Sequence, residues 1–243
     1  VIALRVRRDS DDEERNIGWD ANGDLDTTAI SDFCQTANGY VTRWWDQSTN
    51  GNHADQATDT SQPQIYNGTT VVTENGKPAL QFDGSNDRFE LSSLSISASN
   101  GMTVSFVNAA TGTGTETMLN VRADQAAGNQ IFYATSTNQT RINGRSSTGS
   151  FVPVNAPSTG VKNLVVGLWN WQNDTLNGDF DGAAGTSASG LTEAVTTIDR
   201  IRIGQDSGNN FAQFNLNECI LWPVNSITIG DLADDTNTYY SIY

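Results

Sequence analysis

The sequence predicts an all-β protein, a jelly-roll sandwich of two antiparallel sheets with one short helix. Three observations carry this. Short segments rich in β-branched and aromatic residues recur roughly every 8–15 residues, with Gly, Asn or Asp at nearly every junction. Several of these segments alternate apolar and polar residues, the period of a half-buried strand. The polarity of the chain is largely uncharged: charged residues make up 17%, against about 25% in ordinary domains, and Thr, Ser and Asn fill the difference. Those side chains suit turns and strand faces better than helix interiors.

The elements follow in order. Val1–Arg8 reads as a strand with Ile2, Leu4 and Val6 on one face, and Asp9–Glu14 as a solvated acidic loop. Ile17-Gly18-Trp19 is a short extended piece. Asp26–Phe33 is the one convincing helix, because Asp26 can cap it and Ile30, Phe33 and Cys34 share a face; Gly39 suits its stop. Tyr40–Trp45 is a strand, and Asp46–Ala54 a polar turn. Strands then fall at Ala79–Phe82, Phe89–Leu91, Met102–Asn108, Thr117–Arg122, Gln130–Ala134 and Thr140–Asn143. They continue at Asn163–Trp171, Thr175–Phe180, Ile198–Ile203 and Gln213–Trp222. Leu164–Trp169 is apolar on both faces, which predicts a central strand covered on both sides. Asp231–Tyr240 reads as a short terminal helix.

The chain has 243 residues and a net charge of −15. Residues 1–243 are read as one domain, part of a longer chain because the sequence begins at Val1. The negative surface repels phosphate backbones and argues against nucleic acid as a partner. No apolar run approaches the ~18 residues of a membrane span. Only Lys77 and Lys162 are lysines among 13 basic residues, a surface suited to salty water. Cys34 and Cys219 read as two buried free thiols. No zinc spacing is present, and His53 is the single histidine.

Trp44-Trp45-Asp46-Gln47-Ser48-Thr49-Asn50-Gly51-Asn52-His53 resembles the W-x-D-x-S-G-N-G-N-H segment of laminin G-like, concanavalin A-like domains. Asn75-Gly76-Lys77-Pro78-Ala79-Leu80-Gln81-Phe82-Asp83-Gly84 is similar to the same family's N-G-x-P-A-x-x-F-D-G segment, and Asn217–Pro223 to its closing strand. The resemblance implies a concanavalin A-like sandwich over the whole chain. Phage virion proteins with this domain share the Arg-rich first strand and the Tyr-rich ending Tyr239–Tyr243. The catalytic domain of α-L-arabinofuranosidase B enzymes is also similar, in the Arg7-Arg8 strand, the Phe33-Cys34 helix and the Asp46–His53 turn. Those enzymes carry adjacent cysteines and a mid-chain Glu-Asn-Gly nucleophile segment. Here no cysteines are adjacent, and Glu74-Asn75-Gly76 lies just before Pro78.

The functional expectation is a non-enzymatic virion surface module of a phage, a capsid decoration or tail-fibre domain able to bind glycan. Its location would be the virion surface or extracellular. Its partners would be copies of itself, virion proteins or a cell-surface glycan. The alternatives are an arabinofuranosidase-like glycoside hydrolase and a bacterial lectin-like adhesion module. Glycosidases need two carboxylates across a cleft, and no E-x-D-x-x-E pattern marks such a pair. Glu218 is the one acid inside an apolar strand, while Glu116 and Glu193 read as solvated surface. Trp169, Trp171 and Asn173, near one hairpin turn, are the candidate carbohydrate contacts, since aromatic faces stack on sugars. Asp46, Gln47, Asn52 and His53 read as a structural turn. No cofactor is expected, although Asp206-Ser207-Gly208-Asn209-Asn210 could hold calcium.

Overall fold

The computed structural model describes residues 1–112, 116–122, 130–136, 139–146, 149–157, 163–192, 197–206, 208 and 210–242. Strands take 50% of the chain and helices 11%, which settles the all-β class. The main elements are β1 (Ile2–Arg8), β2 (Glu14–Gly18), α1 (Thr27–Cys34), β3 (Asn38–Trp44), β4 (Gln64–Asn67), β5 (Leu80–Asp83) and β6 (Phe89–Leu91). Then come β7 (Gly101–Ala110), β8 (Glu116–Arg122), β9 (Gln130–Ser136), β10 (Gln139–Arg145) and β11 (Phe151–Asn155). The chain closes with β12 (Leu164–Asn170), β13 (Thr175–Phe180), β14 (Arg200–Ile203), β15 (Gln213–Trp222) and α2 (Ile229–Tyr240).

One large sheet runs β13-β12-β7-β15-β5-β4-β3-β1-β2, and short flanking ladders bring it to twelve strands. The second sheet has six strands in the order β11-β10-β9-β8-β14-β6. The pairings are antiparallel. Between the sheets lies the core. Phe82 stacks on Phe214 at 4.5 Å between ring centroids, Phe214 on Phe106 at 6.0 Å, and Phe82 meets the edge of Phe89 at 6.1 Å. These rings tie β5, β15 and β7 of the large sheet to β6 of the other, the offset and edge-on geometries that aromatic pairs prefer.

α1 forms as its sequence predicts. The Asp26 carboxylate accepts from the Ala29 N–H at 2.9 Å, and Ile30, Phe33 and Cys34 are buried. Its stop differs: Gln35 ends the helix at a positive φ of 56°, while Gly39 lies in β3. There a Cβ would come within 2.7 Å of the Cys34 sulfur, so Gly39 serves close packing rather than helix termination. In β1, a register shift between Ile2 and Leu4 turns Ile2 outward and lets Ala3 join Leu4 and Val6 in the core.

The terminal helix read at Asp231–Tyr240 is present as α2, so the sandwich carries one helix more than its predicted class names. Among the described residues there are two α-helices, and the C-terminal α2, 12 residues long, exceeds α1 with 8. The three acids Asp231, Asp234 and Asp235 mask a genuine apolar face. Ile229, Leu232, Ala233 and Tyr240 pack on Val107, Leu164 and Val166, on the outer face of the large sheet. The β12 strand is thereby covered on both sides, as its apolar run predicts: Val165 and Trp169 face the inter-sheet core. The Tyr-rich tail folds onto the sandwich through Tyr240, while Tyr239 donates its hydroxyl to Asp24 and sits beneath the Lys77 ammonium. Cys34 and Cys219 are both free thiols.

Tyr240→Ala removes the largest side chain of the α2 contact. It should lower stability by about 3–5 kcal/mol, the range for truncating a buried aromatic. Chemical denaturation measures this, and an unchanged midpoint would mean that α2 does not dock on the sheet.

Candidate active-site cleft on the large sheet

Strand alternation builds the site. Along β5, Leu80 and Phe82 point into the core, so Gln81 and Asp83 face outward. The same logic turns Arg7, Tyr40 and Gln64 outward beside the core residues Val6, Val41 and Ile65. Register places them opposite one another: Arg7 with Tyr40, Tyr40 with Gln64, Gln64 with Gln81. Asp9, the short 3₁₀ turn Asp59–Ser61, and the β5–β6 loop rise around this row. Together they enclose a cleft of about 460 Å³ lined by Arg7, Tyr40, Asp59, Gln62, Asp83 and Asp87, among others.

Charge within the cleft is finely arranged. The Arg7 guanidinium donates to the Gln62 side-chain Oε1 at 2.8 Å and to Asp12 at 2.7 Å, and lies 3.6 Å from the Asp59 carboxylate. It also sits over the Tyr40 ring at 5.4 Å. Burial, then the charge of Asp9, raises the Tyr40 phenol above its ordinary pKa, with Arg7 pulling the other way. Asp83 Oδ1 accepts from the N–H groups of Ser85, Asn86 and Asp87 at 2.8, 3.2 and 3.4 Å, an Asx-type turn closed by Gly84 at φ 76°. Asp87 returns the bond: its Oδ2 accepts from the Asp83 N–H at 2.9 Å. Asp87 is only 6% exposed. Burial first, and the neighbouring Asp83 second, push its pKa from 3.8 to about 7. Asp87 therefore carries a proton where an ordinary carboxylate has lost it. The turn is held from behind by Gly204, at φ 85°, where a Cβ would strike the Phe82 ring at 2.6 Å and the Asp87 carbonyl at 2.9 Å.

The sequence candidates lie elsewhere. Trp169 is 2% exposed and donates its indole N–H to the Asn143 carbonyl; Trp171 is 7% exposed. Both are core side chains, because the β12–β13 hairpin turns their face inward, so neither offers a stacking surface. Asn173 is exposed at the hairpin tip. In the Asp46–His53 turn, Asp46 accepts from the Ser48 N–H and hydroxyl, both at 2.8 Å, and from the Asn52 N–H at 2.9 Å. The His53 Nδ1 accepts from the Asp46 N–H, and Gln47 donates to the carbonyls of Ile2 and Trp45. Burial opposes the Asp46 charge, but these hydrogen bonds prevail and hold its pKa below the ordinary value.

Asp206 spends both oxygens on its own loop, on the Gly208 and Asn210 N–H groups and the Asn210 amide; Ser207 and Asn209 lie outside the described residues. Among the described residues no three His, Cys, Asp or Glu side chains gather as metal ligands, and no helix is long and apolar enough to cross a membrane. Glu116, expected at the surface, is buried and accepts from the Gln213 N–H at 3.0 Å. Glu218 faces α2, where Tyr240 donates to it at 3.4 Å and burial raises its pKa. Glu193 lies outside the described residues. Glu74-Asn75-Gly76-Lys77 is a hairpin turn with φ 50° and 73° at its centre, the Asn-Gly signature of that turn type.

What sequence reading missed is the acid pair itself. Asp83 and Asp87 are four residues apart in Phe82-Asp83-Gly84-Ser85-Asn86-Asp87. No single-strand acid pattern marks them, because a tight turn brings these two together.

A buried acid with a raised pKa destabilises the fold once it must ionise. Stability should be independent of Asp87 below pH 3.8 and fall as pH rises through about 7. Asp87→Asn keeps an acceptor for the Asp83 N–H and removes this loss. The melting temperature of the variant relative to the native chain should therefore climb across that window and level off above it. A pH-independent difference would contradict the assigned protonation.

The sequence profile described as alpha-L-arabinofuranosidase B, catalytic, matches residues 3–131, which include every residue lining the cleft. No curated protein matches the chain. Among solved structures, an arabinofuranosidase complexed with arabinofuranosyl-α-1,2-xylobiose superposes with a TM-score of 0.67 at 18% identity, covering 100% of this chain and 59% of that one. A GH54 α-L-arabinofuranosidase soaked with a cyclic sulfate inhibitor gives 0.65 at 16% identity, with coverage of 100% and 59%. The SAP-like pentraxin of Limulus polyphemus gives 0.51 at 11% identity, covering 67% of this chain and 82% of that one. The chain thus spans about three fifths of the arabinofuranosidase structures, and at these identities the superpositions establish the fold. The profile match overturns the expectation of a non-enzymatic phage virion module, and with it the expectation that the chain is not an enzyme. The kinship is carried by the first-half motifs, which the match covers, and not by adjacent cysteines or a mid-chain Glu-Asn-Gly. The chain belongs to the alpha-L-arabinofuranosidase B catalytic family.

Proposed function

We propose that the chain is a glycoside hydrolase that releases α-L-arabinofuranosyl groups, with the cleft of Asp59, Asp83 and Asp87 as its active site. The supporting observation is a proton-bearing Asp87 beside a second carboxylate, inside a cleft formed wholly within the family match. Hydrolysis needs an acid to protonate the leaving oxygen and a carboxylate facing the developing positive charge. Asp87 holds its proton up to about pH 7 and supplies the first role. Asp59, exposed and steadied by Arg7, supplies the second. As the glycosidic C–O bond breaks, the Asp87 proton passes to the departing hydroxyl. Water completes the hydrolysis and its proton restores Asp87. Asp83 positions Asp87 through the reciprocal turn and keeps its pKa high.

Hydrolysis of 4-nitrophenyl α-L-arabinofuranoside tests this. The native chain should turn the substrate over, with kcat/KM falling as pH rises past about 7. Asp87→Asn should lose roughly 10²–10⁴-fold in kcat, the usual worth of a general acid, with its fold intact. A folded native chain without turnover, or an Asp87→Asn variant with native rates, would overturn the proposal.

A further inference from the structure

Behind the cleft lies a buried residue that does not line it. Gln56 is 8% exposed, and its polar groups reach three separate segments. Its N–H donates to the Thr42 carbonyl of β3 at 2.9 Å. Its own carbonyl accepts from the Gln62 side-chain amide at 3.1 Å, and its side-chain oxygen from the Thr58 N–H at 3.0 Å. Its side-chain amide donates to the Arg88 carbonyl at 2.8 Å. The orientation is forced. A peptide N–H only donates and a carbonyl only accepts, so flipping the amide would break both side-chain bonds.

These bonds reach the two walls that carry the carboxyl groups. On one side stands the 3₁₀ turn Asp59–Ser61, which has no side-chain cap at Thr58. Gln56 holds it by the Thr58 N–H and through Gln62, which is 2% exposed and donates to Asp59 at 3.4 Å. On the other side stands Arg88, next in sequence to Asp87. Its N–H donates to the Ser61 carbonyl at 3.1 Å, so the walls touch, and Gln56 adds a second tie between them. Neither Thr58–Gln62 nor Gly84–Arg88 belongs to a strand, so no ladder fixes their separation.

We infer that Gln56 is a positioning residue: it fixes the turn bearing Asp59 against the loop bearing Asp87, and so sets the distance at which the two carboxyl groups work. The inference rests on the proposed active site. Glycoside hydrolysis is sensitive to that distance, since carboxyl groups about 5–5.5 Å apart and about 6.5–9.5 Å apart follow different courses. Losing the Arg88 bond also lets Asp87 move toward water, which lessens the burial that holds its proton.

Two variants of the full chain test this. Gln56→Met keeps the length of the side chain and removes both of its bonds. Gln56→Glu, as a carboxylate, keeps the acceptor for Thr58 and loses only the donor to Arg88, so it serves if Gln56→Met does not fold. With 4-nitrophenyl α-L-arabinofuranoside, the folded variant should lose about 10–10²-fold in kcat, the cost of misplacing a reacting group by about 1 Å. KM should stay near the native value, because Gln56 does not line the cleft. The alkaline limb of kcat/KM should move to lower pH. In step with it, the Asp87 carboxyl midpoint, followed by carbon-13 nuclear magnetic resonance, should drop from about 7 toward 3.8. Native kcat in the folded variant, a loss confined to KM, or an unmoved Asp87 midpoint would each overturn the inference. A folded native chain without turnover would sink the proposed hydrolase, and the Asp87 midpoint would then decide the role of Gln56 by itself.

Discussion

The position of Phe82 governs the site. Its ring is fully buried against Phe214 and Phe89, which fixes which face of β5 looks inward. Strand alternation then leaves no freedom: Gln81 and Asp83 must point out, and the chain must turn immediately afterwards to bring Phe89 back into the core. Gly84 makes that turn at φ 76°, and Asp83 binds its amides. Asp87 is consequently drawn to 6% exposure beside a like-charged neighbour. The raised pKa follows from where the aromatic core ends. A substitution that moves the Phe82 ring shifts the acid with it, and Gly204, wedged against both, transmits the same constraint from β14.

The outer face of the large sheet shows how one surface is divided between stability and chemistry. Under α2 it is apolar, so the helix gains burial there despite its acidic sequence. Beyond α2 it is polar, and Arg7, Tyr40, Gln64, Gln81 and Asp83 line the cleft there. A net charge of −15 is thus not spread evenly: near the cleft it is organised by Arg7, which ties Asp12 and Gln62 together beneath Asp59. That arrangement leaves Asp59 exposed beside Arg7, while burial and the neighbouring Asp83 keep the proton on Asp87.

Much of the fold was legible because period-two patterns and turn residues are local signals. The Asp26 cap, the doubly covered β12 strand and the Asp46 turn could each be read from neighbouring residues. α2 was underweighted since its low hydropathy reflects the solvent side, while its partners Val107, Leu164 and Val166 lie far back in the chain. The site was harder to see. Arg7, Tyr40, Gln64 and Gln81 come from four separate strands and meet only through register, which sequence spacing does not reveal. Trp169 and Trp171 are aromatic residues near a turn, but the alternation set by β12 points their face into the core. Glu74-Asn75-Gly76 carried a catalytic-looking triplet whose conformation is that of a hairpin turn.

The account stands or falls on the protonation of Asp87. Following the carboxyl carbon of Asp87 by nuclear magnetic resonance from acidic to alkaline pH measures it directly. The predicted midpoint is about 7, moving down when Asp83→Asn removes the neighbouring charge. A midpoint near 3.8 in the native chain, unchanged by Asp83→Asn, would contradict it and leave the cleft without its acid.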